Sequence, residues 1–368
     1  MAPWSYHNPV AVTFGWNSLE RLPQVLAGRE AVVVTFPEAR GTRLEERIAQ
    51  LLGAKVREVI SDVEPNPEVR WFDSRYPAFW QRHGGAVLVA VGGGSVIDTA
   101  KLLQVAGADR SFEAIRAPLA AGAQPDVRQS CPLIAVPTTA GTGSEVTPWA
   151  TLWERGTSAP KKYSLHTPRS WPEAAIVDPS LALSAPPAVT RNSALDALSH
   201  SLESIWNVNS NPVSDTLAVE AARTVIATLP GLMSQPNDAA LRTRMARAAT
   251  MAGLAFSNTR TALAHSVSYE MTLRHGLPHG LACSFTLPMV WRMAEGTDAA
   301  RDEVLKRIFG AEVRDAPARL EEFLHGVGVA TRFADYGVSH DEAERMVAHG
   351  LEGARGKNFI GRKAAVPA

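Results

Sequence analysis

The chain has 368 residues, 45% of them hydrophobic, which is enough for two domains that each bury a core and marks an ordinary globular protein. Lysine plus arginine and aspartate plus glutamate both number 37, so no net field draws the chain to nucleic acid or to an anionic membrane. The two cysteines, Cys131 and Cys283, lie in apolar settings that read as buried small residues without a disulfide framework, so a reducing cytoplasm is expected.

From the N-terminus, MAPWSYHNPVAVTFGW has no basic region followed by an apolar one, and no stretch nears the roughly 20 apolar residues that span a bilayer. Neither secretion nor membrane insertion is expected. AVVVTF (31–36) and KVREVI (55–60) read as strands flanking a helix over Arg43–Leu52. AVLVAV (86–91) is followed by a glycine cluster, the helical SVIDTAKLLQVAG and the buried strand PLIAVPTT (132–139). Such alternation predicts a parallel α/β sheet of the nucleotide-binding kind. After DPSLALSAPPAVT (178–190) the pattern turns helical as far as about Leu351. The reading is therefore an α/β dinucleotide-binding domain with a parallel sheet over 1–181 and an all-α metal-binding domain over 182–368.

Gly92, Gly93, Gly94 and Ser95 stand between a strand and a helix, where bare backbone lets N–H groups and the helix dipole approach a pyrophosphate. The alternative is a tight turn without a ligand, and the spacing is not G-x-G-x-x-G. A second polar loop, Thr138 to Glu145 and including Thr139 and Ser144, leaves the next buried strand at the same sheet edge and favours the ligand reading.

Asp196 and His200 are spaced i, i+4, which puts a carboxylate and an imidazole on one helix face. His265 and His279 follow in ALAHSVSYEMTLRHGLPHG, giving an N3O donor set suited to Fe(II) or Zn(II). Singly, each histidine reads more readily as a hydrogen-bonded structural residue; the combination is what points to a metal. No cysteine ligand is counted.

With these residues in view the chain resembles the iron-containing (group III) alcohol dehydrogenases. The likeness rests on GGGSVIDTAK (92–101), PTTAGTGSEVT (137–147), AIVDPSL (175–181), DALSHSLE (196–203) and the PHG of 278–280, and spans nearly the whole chain. It implies that Asp196, His200, His265 and His279 are the metal ligands, and that Gly93, Gly94, Ser95, Thr138 and Thr139 contact the cofactor phosphates. It further implies that Asp98 lies near the nicotinamide, that Lys162 approaches the cofactor, and that the protein is a homodimer.

Three departures from the family pattern bear on chemistry. Tyr269 stands where relatives place a histidine thought to relay the proton; its hydroxyl could donate, water and the cofactor ribose could serve instead, or it could be a packing substitution. Phe36 follows Thr35 where many relatives carry an aspartate that binds the ribose, which leaves NADPH open beside NADH. Arg260, shortly before His265, suits an anionic substrate through charge-assisted hydrogen bonds, the alternative being a salt bridge. Arg191, Arg274 and His275 add positive candidates.

The expected activity is metal-dependent reduction of a small anionic aldehyde to a primary alcohol by NAD(P)H. Its similarity to the phosphonoacetaldehyde reductases of phosphonate antibiotic biosynthesis points to phosphonoacetaldehyde, giving 2-hydroxyethylphosphonate. Lactaldehyde, succinic semialdehyde or 3-hydroxypropionaldehyde are alternative substrates. A dehydroquinate-synthase-like lyase, a glycerol-type dehydrogenase and a non-catalytic scaffold are the competing classes.

Overall fold

The valine-rich runs are strands because a parallel sheet covered on both faces takes continuous apolar sequence. A computed structural model describes residues 3–157, 160–310 and 315–362. In chain order its strands are β1 (Ala11–Phe14), β2 (Ala31–Val34), β3 (Val56–Ile60), β4 (Val87–Gly92), β5 (Val105–Ala106), β6 (Gln129–Ser130), β7 (Leu133–Pro137), β8 (Ala150–Glu154), β9 (Lys161–Leu165) and β10 (Ala174–Val177). Six of them form one sheet in the order β1-β10-β7-β4-β2-β3, with every pair parallel. Strands β8 and β9 make a separate antiparallel hairpin.

Alternation along the strands feeds two cores. Val32, Val34, Leu88 and Ala90 point into one, under Phe72, Tyr76 and Trp80, while Ala31, Val33, Val87 and Val89 point into the other, with Leu19, Leu22 and Ile48. Helices α1 (Leu22–Leu26), α2 (Arg43–Leu52), α3 (Val69–His83), α4 (Gly94–Gln104) and α5 (Glu113–Ala120) accompany this sheet. The chain steps from β2 out to β3 on one side and back to β4 on the other, which makes the C-terminal ends of β2 and β4 a topological switch point, where nucleotide loops sit in doubly wound sheets.

The remaining helices are α6 (Pro187–Ile205), α7 (Pro212–Ser234), α8 (Ala239–Thr259), α9 (Leu263–His275), α10 (His279–Ser284), α11 (Leu287–Ala294), α12 (Ala299–Phe309), α13 (Ala316–Gly326) and α14 (His340–Glu352). From Ala194 to Ile205 helix α6 is buried all round. It carries Ser199, Ser201 and Ser204 inside because each hydroxyl donates to the carbonyl four residues back. Asn211 caps α7 in a reciprocal box with Ser214. Among the described residues no helix is long and apolar enough to cross a membrane.

Two compact units result: Pro9–Thr139 with Ser144–Ser184, and Met1–Asn8 with Ala140–Gly143 and Ala185–Ala368. A single cut between 181 and 182 does not describe them. The N-terminal segment joins the helical unit because the Tyr6 hydroxyl donates to the Leu254 carbonyl and the His7 N–H to Asn258 Oδ1. Residues 140–143 join it because Gly141 lies directly against the Ser193 backbone and Gly143 against Gly253.

Candidate active site

Three helices of the helical unit deliver polar side chains to one buried point. Helix α6 brings Asp196 and His200 on one face, α9 brings His265 in its first turn, and α10 begins at His279. The three Nε2 atoms lie 3.6, 3.4 and 3.8 Å from Asp196 Oδ1. The rings stack or meet edge-on, His200 to His265 at 4.7 Å and His265 to His279 at 5.4 Å between centroids. Asp196 Oδ1 and His265 Nε2 are buried and have no hydrogen-bond partner. Buried polar atoms without partners are costly, so four donors gathered this way fit a cation between them. Ligands about 2.0–2.2 Å from one tetrahedral divalent ion stand about 3.3–3.6 Å apart, close to these separations.

Electrostatics agree. Burial alone would raise the Asp196 carboxyl, but His200, His265 and His279 around it hold it well below the usual carboxylate range. Burial pushes His200 down to about 4, so it is a neutral imidazole, the form that ligates metals. His279 is the accessible member, its side chain 32% exposed against 5–6% for the others, which leaves the cluster open on that side.

In the sheet unit, Gly92 at the end of β4 pairs with Pro137 at the end of β7, and the Thr138 N–H donates to the Gly92 carbonyl. The two polar loops are therefore neighbours, with Thr139 against Gly93. Gly93 caps α4 and Gly94 opens it, so the free N–H groups of the first turn rise beside Thr138 and Thr139. Ser95 Oγ accepts the backbone N–H of Asn66. Asp98 is half-buried, one oxygen accepting from Ser144 Oγ and the other from the Thr151 N–H. Lys101 donates to Ser144, Thr147 and the Trp149 carbonyl, and burial holds its ammonium down to about 8. Asp98 and Ser144 thus tie residues 144–151 to α4. Lys162, on β9, lies over the Trp153 ring at 4.8 Å.

Residues 9–179 match the family Iron-containing alcohol dehydrogenase, and residues 190–362 match the Fe-containing alcohol dehydrogenase family, C-terminal. The chain belongs to the iron-containing alcohol dehydrogenase family. It is 30% identical to Long-chain-alcohol dehydrogenase 1 of Geobacillus thermodenitrificans over 93% of this chain and 88% of that one. Against Phosphonoacetaldehyde reductase of Streptomyces viridochromogenes it is 38% identical over 56% of this chain and 52% of that one. Its structure resembles that of sulfoacetaldehyde reductase from Bifidobacterium kashiwanohense in complex with NAD+, with a TM-score of 0.89 at 27% identity over 99% of this chain and 96% of that one. This iron-containing alcohol dehydrogenase is accordingly an oxidoreductase acting on alcohols and aldehydes.

Two residues of the metal-type cluster escaped the sequence reading. Glu203 is buried beneath His265, accepting from its Nδ1 at 2.6 Å and from its backbone N–H at 3.1 Å. That bond puts the ring proton on Nδ1 and turns the Nε2 lone pair towards Asp196. Burial opposes the Glu203 charge, yet His265 and its neighbours' N–H groups hold the carboxyl below the usual range. The signal was present as Asp196, His200 and Glu203 at i, i+4 and i+7. Cys283 is the second, where the sequence reading counts no cysteine ligand. It stands one turn after His279 on α10, its Sγ 3.6 Å from His279 Nε2, and it groups with Asp196, His265 and His279 as a possible donor.

The other sequence candidates are dispersed. Arg260 caps the C-terminus of α8 in an exposed position with φ 68°, its carbonyl accepting from Asn207. Arg274 pairs with Glu270, and His275 with Glu342, at the far end of α9. Tyr269 lies one turn beyond His265 on α9. Glu203→Gln is expected to weaken metal binding by about 10–100-fold while the fold survives, because the amide keeps the shape but loses the charge that orients His265. Chelator competition measures this, and an unchanged affinity would make Glu203 a packing residue.

Proposed function

We propose that this enzyme reduces a small anionic aldehyde of the phosphonoacetaldehyde type to its primary alcohol, in phosphonate natural-product biosynthesis. On this reading Asp196, His200, His265 and His279 hold Fe(II) or Zn(II), and NADPH or NADH is the reductant. The observation that carries it is the convergence of three imidazole nitrogens on the unpartnered Asp196 Oδ1. The anionic substrate is supported by the likeness to reductases of phosphonoacetaldehyde and sulfoacetaldehyde, both aldehydes that end in an acid group.

When bound, the nicotinamide supplies the hydride and the divalent ion supplies Lewis-acid polarisation of the aldehyde oxygen. The chain's part is to hold and orient. The N–H groups of Gly93, Gly94 and Ser95 and the hydroxyls of Thr138 and Thr139 would hold the cofactor pyrophosphate at the start of α4. Asp98 and Ser144 keep the adjoining 144–151 segment in place. Glu203 fixes the His265 tautomer. Tyr269, on the same face of α9 as His265, offers its hydroxyl as the group that holds the proton for the product oxygen.

NADPH is supported by Phe36, just after β2, standing where many relatives carry an aspartate that would oppose a 2′-phosphate, and by Arg40 nearby, its Nε donating to Ser61 Oγ. The test follows NADPH and NADH oxidation by absorbance in the Fe(II)- or Zn(II)-loaded protein with phosphonoacetaldehyde, lactaldehyde and succinic semialdehyde. A preference for phosphonoacetaldehyde is expected. Preference for lactaldehyde would overturn the anionic-substrate reading, and silence on all three would overturn the reductase.

A further inference from the structure

We propose that Arg355 is the anion-binding residue of the substrate site, an assignment that rests on the reading of an anionic aldehyde as substrate. In the sequence Arg355 carries no signal, standing in EGARGKNFI after α14. The fold gives it a fixed seat. At Gly356 an added Cβ would lie 2.2 Å from the Gly350 carbonyl oxygen and 2.4 Å from that of Leu351, so the turn sits directly on the end of α14 and needs glycine there. Asn358 then ties the turn down, its Nδ2 donating to the Thr261 carbonyl at 2.9 Å and its own carbonyl accepting the Val208 N–H at 2.8 Å.

From this seat the half-buried Arg355 side chain reaches the metal-donor helix. Its Nε donates to Thr261 Oγ1 at 2.8 Å, and its guanidinium carbon lies 4.7 Å from the centre of the Tyr269 ring, one turn beyond His265. The carboxylate whose field it feels is Glu203, which grips His265. Among the described residues no carboxylate lies within 4.0 Å of Arg355, and nothing accepts from Nη1 or Nη2. One edge of a planar cation is thus anchored, one face is packed on an aromatic ring, and the remaining N–H fork is open. That fork matches two oxygens of a phosphonate or sulfonate, and its partial burial strengthens the pair. Arg260, by contrast, is exposed, where solvent screens an ion pair to little effect.

The test measures kcat/KM in the metal-loaded enzyme for phosphonoacetaldehyde, sulfoacetaldehyde and uncharged propanal, in wild type, Arg355→Ala, Arg355→Lys and Arg260→Ala. Arg355→Ala is expected to lose about 100-fold on both anionic aldehydes, mainly through KM, and under about 3-fold on propanal. Arg355→Lys should recover part of the loss, a point charge without the fork. Methylphosphonate should raise the Tm of the wild type and not that of Arg355→Ala. Should the alanine variant fail to fold, the lysine variant carries the comparison. Equal losses on charged and uncharged aldehydes, or a selectivity change that follows Arg260→Ala instead, overturns the proposal while the anionic-substrate reading stands. A wild type that prefers propanal to both anions overturns that reading, and the proposal with it.

Discussion

His265→Ala is expected to strip bound metal and abolish turnover together, while the helical unit stays folded. His265 is the hub of the cluster: its Nε2 lies 3.4 Å from Asp196 Oδ1, its ring stacks on His200 and meets His279, and its Nδ1 is held by Glu203. Losing an outer partner of a ligand costs about 10–100-fold in metal affinity, so losing the ligand itself should cost more than about 100-fold. A second effect is separable from activity. The variant leaves Glu203 buried without its imidazole, and an unpaired buried charge costs about 3–5 kcal/mol. Adding Glu203→Gln should therefore restore part of the Tm lost in His265→Ala without restoring metal. Elemental analysis and thermal melts read both effects. Full turnover with no metal bound would sink the metal mechanism, and a double variant no more stable than the single one would deny the charge pairing.

Gly280→Ala is expected to damage the site from the backbone. A Cβ at Gly280 would fall 1.8 Å from the Asn192 carbonyl oxygen and 2.7 Å from its carbon, so the methyl cannot be placed without moving α10 or α6. Backbone on backbone leaves no flexible side chain to yield. Overpacking of this kind costs about 1–3 kcal/mol, and at about 2–4 °C per kcal/mol in a unit of this size the Tm should fall by about 2–12 °C. Because His279 and Cys283 ride on α10 while Asp196 and His200 ride on α6, the same displacement separates the donors. Metal affinity should fall with stability. Gly326→Ala, at the end of α13 with open space around it, is the comparison expected to be silent. Equal melts and equal metal affinity for the two variants would show that α10 can slide freely against α6.

The apolar runs at 31–36, 86–91 and 132–139 announced buried parallel strands, and these are β2, β4 and β7, each wholly buried. The helix read over Arg43–Leu52 is α2 with the same bounds, because its period turns Ile48 and Leu52 inward. Strand β1 and the β8–β9 hairpin leave little mark in the sequence, since short strands that interleave polar with apolar residues have no continuous apolar run. The pairing of Asp196 with His200 was legible because four residues make one helical turn and both atoms belong to one element.

Local periodicity decides which face of a helix or strand is buried, and that much the chain determines by itself: the parallel α/β sheet with its glycine loop, the helical second half and the candidate donors. Which side chains meet is decided by how helices pack. His265 and Glu203 are 62 residues apart and Arg355 and Thr261 are 94 apart, yet each pair is in hydrogen-bond contact. No short-range pattern encodes such distances. Only the packing of α6, α9 and α10, with Gly280 pressed on the Asn192 backbone and Gly356 on the end of α14, brings Glu203 and Cys283 into the cluster and leaves Arg355 beside Tyr269 while Arg260 remains in solvent.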